Sequence, residues 1–204
     1  MRTLGKSDIL NTVEPLFQAF EQLKIPFCIC GSVASSMEGL PRTTLDVDVV
    51  ADLDHDRVAP LVSEIEGIYY VEEASVREAV THRSHFNVVH LGTMMKVDIF
   101  LLRDEPFYKE SFSRSRAKIL FEDEDGAVRC LVNTPEDIVL HKLLWYEKGG
   151  GVSERQWIDL LGVLKIHRGR LEMDYLENWA SLLSLEALLK RALREAGITT
   201  ARPS

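Results

Sequence analysis

With 204 residues, 46% of them hydrophobic and 27% charged, the chain has the balance of an ordinary globular protein with one core and room for a helical extension. A net charge of −8 with no extended basic stripe argues against a protein that tracks nucleic acid over a large surface, leaving an RNA end or a protein as acceptor open, and no apolar run approaches the ~20 residues of a membrane span. The opening MRTLGKSDIL turns polar too early for a secretory signal, so a cytoplasmic location with no membrane partner is expected.

The first element expected is a helix from Ile9 to Leu23. Apolar Ile9, Val13, Leu16, Phe17, Phe20 and Leu23 recur at helical spacing, and Ser7 or Asp8 can cap its start. Pro26 breaks that pattern, and Phe27–Cys30 reads as a short buried strand ended by Gly31-Ser32. Three cysteines, Cys28, Cys30 and Cys130, are too few and odd in number for a disulfide framework; Cys28 and Cys30, a C-x-C without the second ligand pair of a zinc site, are expected as buried strand residues. Val33–Met37, rich in small residues, suits a helix packed closely on a sheet. Gly39-Leu40-Pro41 marks a turn before a strand at 45–50, LDVDVV. Strand alternation there puts Asp46 and Asp48 on one face and Leu45, Val47 and Val49 on the other.

A helix follows over Asp56–Ile65, with Asp54 or His55 near its start, and then strand-like runs at Ile68–Val71, Phe86–Leu91 and Met95–Leu101, with Gly92 at the turn between the last two. Arg114, Arg116 and Lys118 alternate and read as a solvated strand face. Lys118–Glu122 and Ala127–Val132 form a hairpin, with Glu122-Asp123-Glu124-Asp125 in its solvated tip. Beyond Asn133 the pattern is helical. Thr134 is a cap, Pro135 a first-turn residue, and Glu136 and Asp137 complement the helix dipole. That helix runs to Lys148 and stops at Gly149-Gly150-Gly151. Others start at Ser153, running to Ile166, and at Asp174 and Leu185. The organisation expected is an α/β core over 1–132 and a C-terminal helical region over 133–204.

Chemistry concentrates in the aspartates. Asp98 is the polar member of the buried run Lys96-Val97-Asp98-Ile99-Phe100, and an unpaired buried carboxylate is costly unless it has a task. Asp46 and Asp48 on one strand face, with Asp98 from another strand, are the hard oxygen donors that Mg²⁺ or Mn²⁺ takes, and two such ions can serve an in-line displacement. Gly31-Ser32, at a strand-to-helix junction, offers close backbone approach, free helix N–H groups and a hydroxyl to a phosphate. Arg42 and Thr44 precede the Asp46 strand within reach of phosphate. Lys142 lies mid-helix with a flexible stem and a point charge suited to a triphosphate. Arg155 and Asp159, four apart, share a helix face, as a surface ion pair would. His82 and His85 are spaced so that one strand face cannot hold both, which argues against zinc. Trp145, Trp157 and Trp179 read as packing residues of the helices rather than base-stacking platforms.

Gly31-Ser32, thirteen intervening residues, Asp46-x-Asp48 and then Val97-Asp98-Ile99 resemble the signature of the nucleotidyltransferase superfamily. The stretch Gly39-Leu40-Pro41-Arg42-Thr43-Thr44-x-Asp46-x-Asp48 is most similar to the bacterial branch around AbiEii-type proteins, and 134–142 (TPEDIVLHK) and 155–159 (RQWID) look like that branch's two helical motifs. Cys30 stands where a second glycine is common, and Gln156-Trp157 replaces the Lys-Asp that often follows the arginine. The resemblance implies an α/β nucleotidyltransferase (polymerase beta-like) fold with a mixed sheet and a C-terminal helical bundle closing the cleft. It implies transfer of a nucleoside monophosphate from an NTP to RNA, protein or a small molecule, using two Mg²⁺ or Mn²⁺ ions. Asp46, Asp48 and Asp98 would be the metal-binding and catalytic residues. Gly31, Ser32, Arg42, Thr44, Lys142, Arg155 and Asp159 would serve nucleotide binding. A cognate antitoxin or a second copy of the chain is the partner such proteins imply. The other reading is a binding module that keeps the fold without turnover. An aminoglycoside-type modifier would want an acidic acceptor pocket, which the net charge permits.

Overall fold

The computed structural model describes residues 6–40, 46–123 and 126–198. In chain order the elements are α1 (Lys6–Gln22), β1 (Phe27–Ile29), α2 (Gly31–Glu38), β2 (Asp46–Ala51), a 3₁₀ turn (His55–Arg57), α3 (Val58–Ile65), β3 (Tyr69–Tyr70), α4 (Glu73–His82), β4 (His85–His90) and β5 (Lys96–Leu101). They continue with α5 (Pro106–Ser113), β6 (Arg116–Asp123), β7 (Gly126–Val132), α6 (Pro135–Lys148), α7 (Glu154–Ile166), α8 (Met173–Leu182) and α9 (Glu186–Glu195). They fall into two compact units: all seven strands with α1 and α3–α5 in one, and α2 with α6–α9 in the other. Among the described residues no helix is long and apolar enough to cross a membrane.

The first unit is built on one mixed sheet of order β3-β4-β5-β2-β1-β7-β6. β2 pairs parallel with β5 and antiparallel with β1, β1 pairs parallel with β7, and β3–β4, β4–β5 and β6–β7 are antiparallel. Alternation gives the two central strands opposite faces. Val47, Val49 and Ala51 of β2 and Val97, Ile99 and Leu101 of β5 are buried, each larger aliphatic contributing roughly 1.5–3 kcal/mol. Phe27 lies opposite Ala51 and so on the same face, where its ring meets Phe17 and Phe20 at 4.7 and 5.2 Å between centroids. That contact seats α1 over the apolar face and leaves the aspartate face of the sheet on the other side.

Pro15 lies inside α1, where it removes one N–H and crowds the preceding turn. The break is repaired from the sheet. The Tyr69 hydroxyl accepts from the Leu16 N–H (3.1 Å) and donates to the Thr12 carbonyl (2.5 Å), so it stands inside the ladder bond that residues 12 and 16 would otherwise make. Burial pushes the phenol well above its ordinary pKa, which keeps the proton it donates. Tyr69→Phe therefore strands a donor and an acceptor inside α1. A loss of about 2 kcal/mol and a fall of roughly 4–8 °C in Tm are expected by circular dichroism, and an unchanged Tm would show the bridge to be idle.

Some expectations shift. The segment expected as a helix from Asp56 opens with a 3₁₀ turn, whose Arg57 N–H is accepted by the Asp54 carboxylate, and the α-helix proper starts at Val58. The run at Ile68–Val71 shortens to the two residues of β3. Two helices have no counterpart in the sequence expectations: α4 buries Val76, Ala79 and Val80, and α5 buries Phe107 and Ser111, stripes too thin to stand out in a charged segment. Arg114 caps the end of α5, leaving Arg116 and Lys118 to share a face of β6. Cys28 and Cys130 are buried, whereas Cys30 is half-buried just beyond β1.

In the helical unit α6 packs on α7, and α2 packs on both. The close approach of α2 to α7 depends on two glycines. A Cβ at Gly39 would stand 2.8 Å from the Ser35 carbonyl oxygen and 2.9 Å from the Val163 nitrogen, and one at Gly162 would stand 3.2 Å from the Leu40 nitrogen. The turn-like Gly39 is therefore a packing requirement. Thr134 caps α6 as expected, accepting from the Asp137 N–H, while the buried Asp137 carboxylate accepts hydrogen bonds from Thr134 Oγ1 (2.5 Å) and Tyr175 Oη (2.6 Å). Burial, with a smaller push from Lys148, lowers the pKa of His141 on α6 to about 4. An unfolded histidine titrates near 6.5, so the unfolded chain takes up this proton first. Stability from this site is complete above pH 6.5 and falls as the pH drops toward 4. His141→Gln should flatten that part of a pH–Tm profile.

Candidate functional site

The sheet face opposite α1 carries Asp46 and Asp48 of β2 and Lys96, Asp98 and Phe100 of β5. In the parallel register Asp48 lies directly beside Asp98, and Asp46 directly beside Lys96. Neighbouring strands run about 4.8 Å apart, so the Asp48 and Asp98 carboxylates project side by side, with Asp46 about two residues' rise, ~6.6 Å, along β2. Asp46 is exposed and Asp48 half-buried, and the Asp98 side chain is 16% exposed. On the far side β4 sets Asn87 opposite Asp98 and His85 opposite Phe100, with the two rings stacked at 5.5 Å.

A cation already sits among these anions. Lys96 Nζ lies 2.7 Å from Asp98 Oδ2. Its pKa is held above the ordinary lysine value, chiefly by the hydrogen bond to Asp98, against the opposing effect of burial. The charges of Asp98, Asp46 and Asp48 add to the rise. Lys96 thus feels all three aspartates. Among the described residues no three His, Cys, Asp or Glu side chains converge as a group that could hold a metal ion, and that includes His82 and His85. The donor chemistry of the face nonetheless fits Mg²⁺ or Mn²⁺: hard carboxylate oxygens on a backbone already in register, with an ammonium as the stand-in ion. Convergence on an ion asks for rotation of side chains.

The chain leaves the sheet at Cys30, whose N–H donates to the Asp48 carbonyl (3.0 Å). Gly31 follows with φ +59°, a conformation that suits glycine, and with Ser32 it opens α2 in the helical unit. Arg42 and Thr44 lie outside the described residues. Lys142 is buried, and its ammonium donates to Asp159 Oδ2 (2.8 Å) and Gln156 Oε1 (3.0 Å). Asp159, also buried, is therefore partnered across helices by Lys142, while Arg155 stays exposed. Of the tryptophans, Trp157 is buried with its indole N–H on Glu195 (2.7 Å), Trp179 is half-buried beside Tyr175, and Trp145 is 55% exposed, contrary to the packing role expected of it.

Lys96 stands on this face without being among the residues the sequence singles out. Its signal was present, since a lysine two positions before Asp98 on a strand must share its face.

No protein-family model and no curated protein sequence matches the chain. Solved structures do. The antibiotic-resistance factor ANT(2'')-Ia in solution aligns with a TM-score of 0.54 at 14% identity, over 94% of this chain and all of that one. The same factor in complex with adenylyl-2''-tobramycin aligns at 0.55 and 14% identity, over 86% of this chain and 97% of that one. The lincosamide antibiotic adenylyltransferase LnuA, lincomycin-bound, aligns at 0.47 and 13% identity, over 81% of this chain and 99% of that one. The chain has the nucleotidyltransferase fold, with the mixed sheet and helical segments expected for it.

Proposed function

We propose that the chain is a metal-dependent nucleotidyltransferase that moves a nucleoside monophosphate from an NTP to an acceptor and releases pyrophosphate. The observation that carries this reading is the register of Asp48 beside Asp98, with Asp46 on the same face, at the centre of a nucleotidyltransferase-fold sheet. In this reading the three carboxylates would hold two Mg²⁺ or Mn²⁺ ions, and Asp98 would also help take the proton from the acceptor's attacking group. Such ions, when bound, activate the attacking oxygen and stabilise the leaving one. The sheet's task is positioning: β2 and β5 pair with each other along their whole length and hold the donors in fixed register, so little reorganisation is needed as charge develops. Gly31 and Ser32 are assigned to phosphate oxygens on the chemistry of a helix N-terminus, and Arg42, Thr44 and the exposed Arg155 to phosphate charge. Lys142 and Asp159 are assigned to each other, as the ion pair that ties α6 to α7.

The test is incubation of the purified protein with Mg²⁺, a cell extract and each labelled NTP in turn. Label should pass to one macromolecule or metabolite with release of pyrophosphate, and the product's class identifies the acceptor as RNA, protein or small molecule. Asp46→Ala with Asp48→Ala should transfer nothing. Calorimetry separates the alternative: nucleotide binding without release of pyrophosphate from any acceptor indicates a binding module, and no binding at all removes the site.

A further inference from the structure

The ammonium of Lys96 has a position that the proposed chemistry does not use. It rises from the same strand face as Asp98, stands 2.7 Å from Asp98 Oδ2, and occupies the register position beside Asp46. A catalytic ion drawn to these carboxylates meets a cation already among them. The Lys96 side chain is 42% exposed and the Asp98 side chain 16%, so the lysine has solvent to swing into while the carboxylate stays with the sheet.

We propose, resting on the metal-dependent reading above, that Lys96 is a resident counter-cation of the Asp46–Asp48–Asp98 face, one that a divalent ion must displace from Asp98 to bind. The arrangement does two things. Without an ion, Lys96 offsets the repulsion among carboxylates that the register forces together, so the face is stable while empty. When an ion arrives, the lysine competes with it, which raises the ion concentration at which the site fills. The role belongs to positioning and ion affinity, since Lys96 need not touch the nucleotide.

The experiment measures Mn²⁺ binding by calorimetry or electron paramagnetic resonance on the whole chain, with no nucleotide or acceptor present. Lys96→Met is compared with wild type, with Asp98→Asn, and with Arg83→Met. The last removes an equal charge from the same unit, at a site paired with Asp52 (3.6 Å). Lys96→Met should tighten Mn²⁺ by about fivefold, as loss of one part-exposed ion pair allows. It should also lower Tm without metal and recover most of that loss at saturating Mn²⁺. Lys96→Gln should behave as Lys96→Met does, and Arg83→Met as wild type. Equal or weaker binding in Lys96→Met and Lys96→Gln, with Asp98→Asn still abolishing it, overturns the counter-cation and leaves the metal site standing. Equal tightening in Arg83→Met overturns it too, because bulk charge would then be the cause. Failure of wild type and every variant to bind Mn²⁺ overturns both this proposal and the metal-dependent reading.

Discussion

Asp98→Asn is expected to cut nucleotidyl transfer at least about a thousandfold while leaving the protein folded, and Asp48→Asn to do the same. Asparagine keeps the size and one acceptor oxygen of aspartate but gives up the charge that would bind a divalent ion. A loss of that order is about 4 kcal/mol of transition-state stabilisation, the scale on which a missing metal ligand acts. The effect on stability is small. Asp98→Asn frees Lys96 from an ion pair that is part-exposed, and Asp48→Asn relieves repulsion between two carboxylates in register, so Tm should move little in either. Pyrophosphate release with saturating NTP, set beside a thermal melt, reads both. Retained activity in either variant would remove these residues from the chemistry.

The second large effect is on stability. Asp159→Ala leaves the Lys142 ammonium buried without its carboxylate, in a pair whose side chains are 5% and 6% exposed. Breaking a buried pair by removing one partner costs about 3–5 kcal/mol, which corresponds to roughly 10 °C in Tm. Lys142→Met alone should be costly too, because it strands the carboxylate. The double change Lys142→Met with Asp159→Leu should recover most of the loss, since apolar side chains of similar volume often replace a buried pair without penalty. The four melts form a double-mutant cycle whose coupling energy measures the pair. If the two single losses simply add, Lys142 and Asp159 act apart.

These two predictions draw on different layers of the sequence. Asp46, Asp48 and Asp98 were legible because strand alternation assigns each to a polar face from local sequence alone. Their juxtaposition was not. It depends on β5 inserting between β4 and β2, with β3 and β4 intervening in the chain, and no local pattern specifies that order. Lys142 and Asp159 stood out as charged residues on two predicted helices. Seventeen residues apart, they carry no sequence mark of their pairing, and helix periodicity pointed Asp159 at Arg155 instead. Pro15 sits inside α1, and the hydroxyl that bridges residues 12 and 16 beside it comes from Tyr69, 53 residues on from the Leu16 N–H it accepts, a partner no local pattern marks. Charged segments hid α4 and α5, where two or three buried residues suffice because packing rather than propensity holds them.

β2 is the middle strand of seven, with three strands on either side of it. The rims are of another character, a two-residue β3 at one end and β6, with its exposed Arg116 and Lys118, at the other. Changes of sequence should therefore have unequal consequences across the sheet. Edge strands and the loops beside them can lengthen, shorten or change charge without moving the aspartates, whose spacing is set by hydrogen bonds at the centre. Substitutions at either rim should therefore leave the spacing of Asp46, Asp48 and Asp98 as it is.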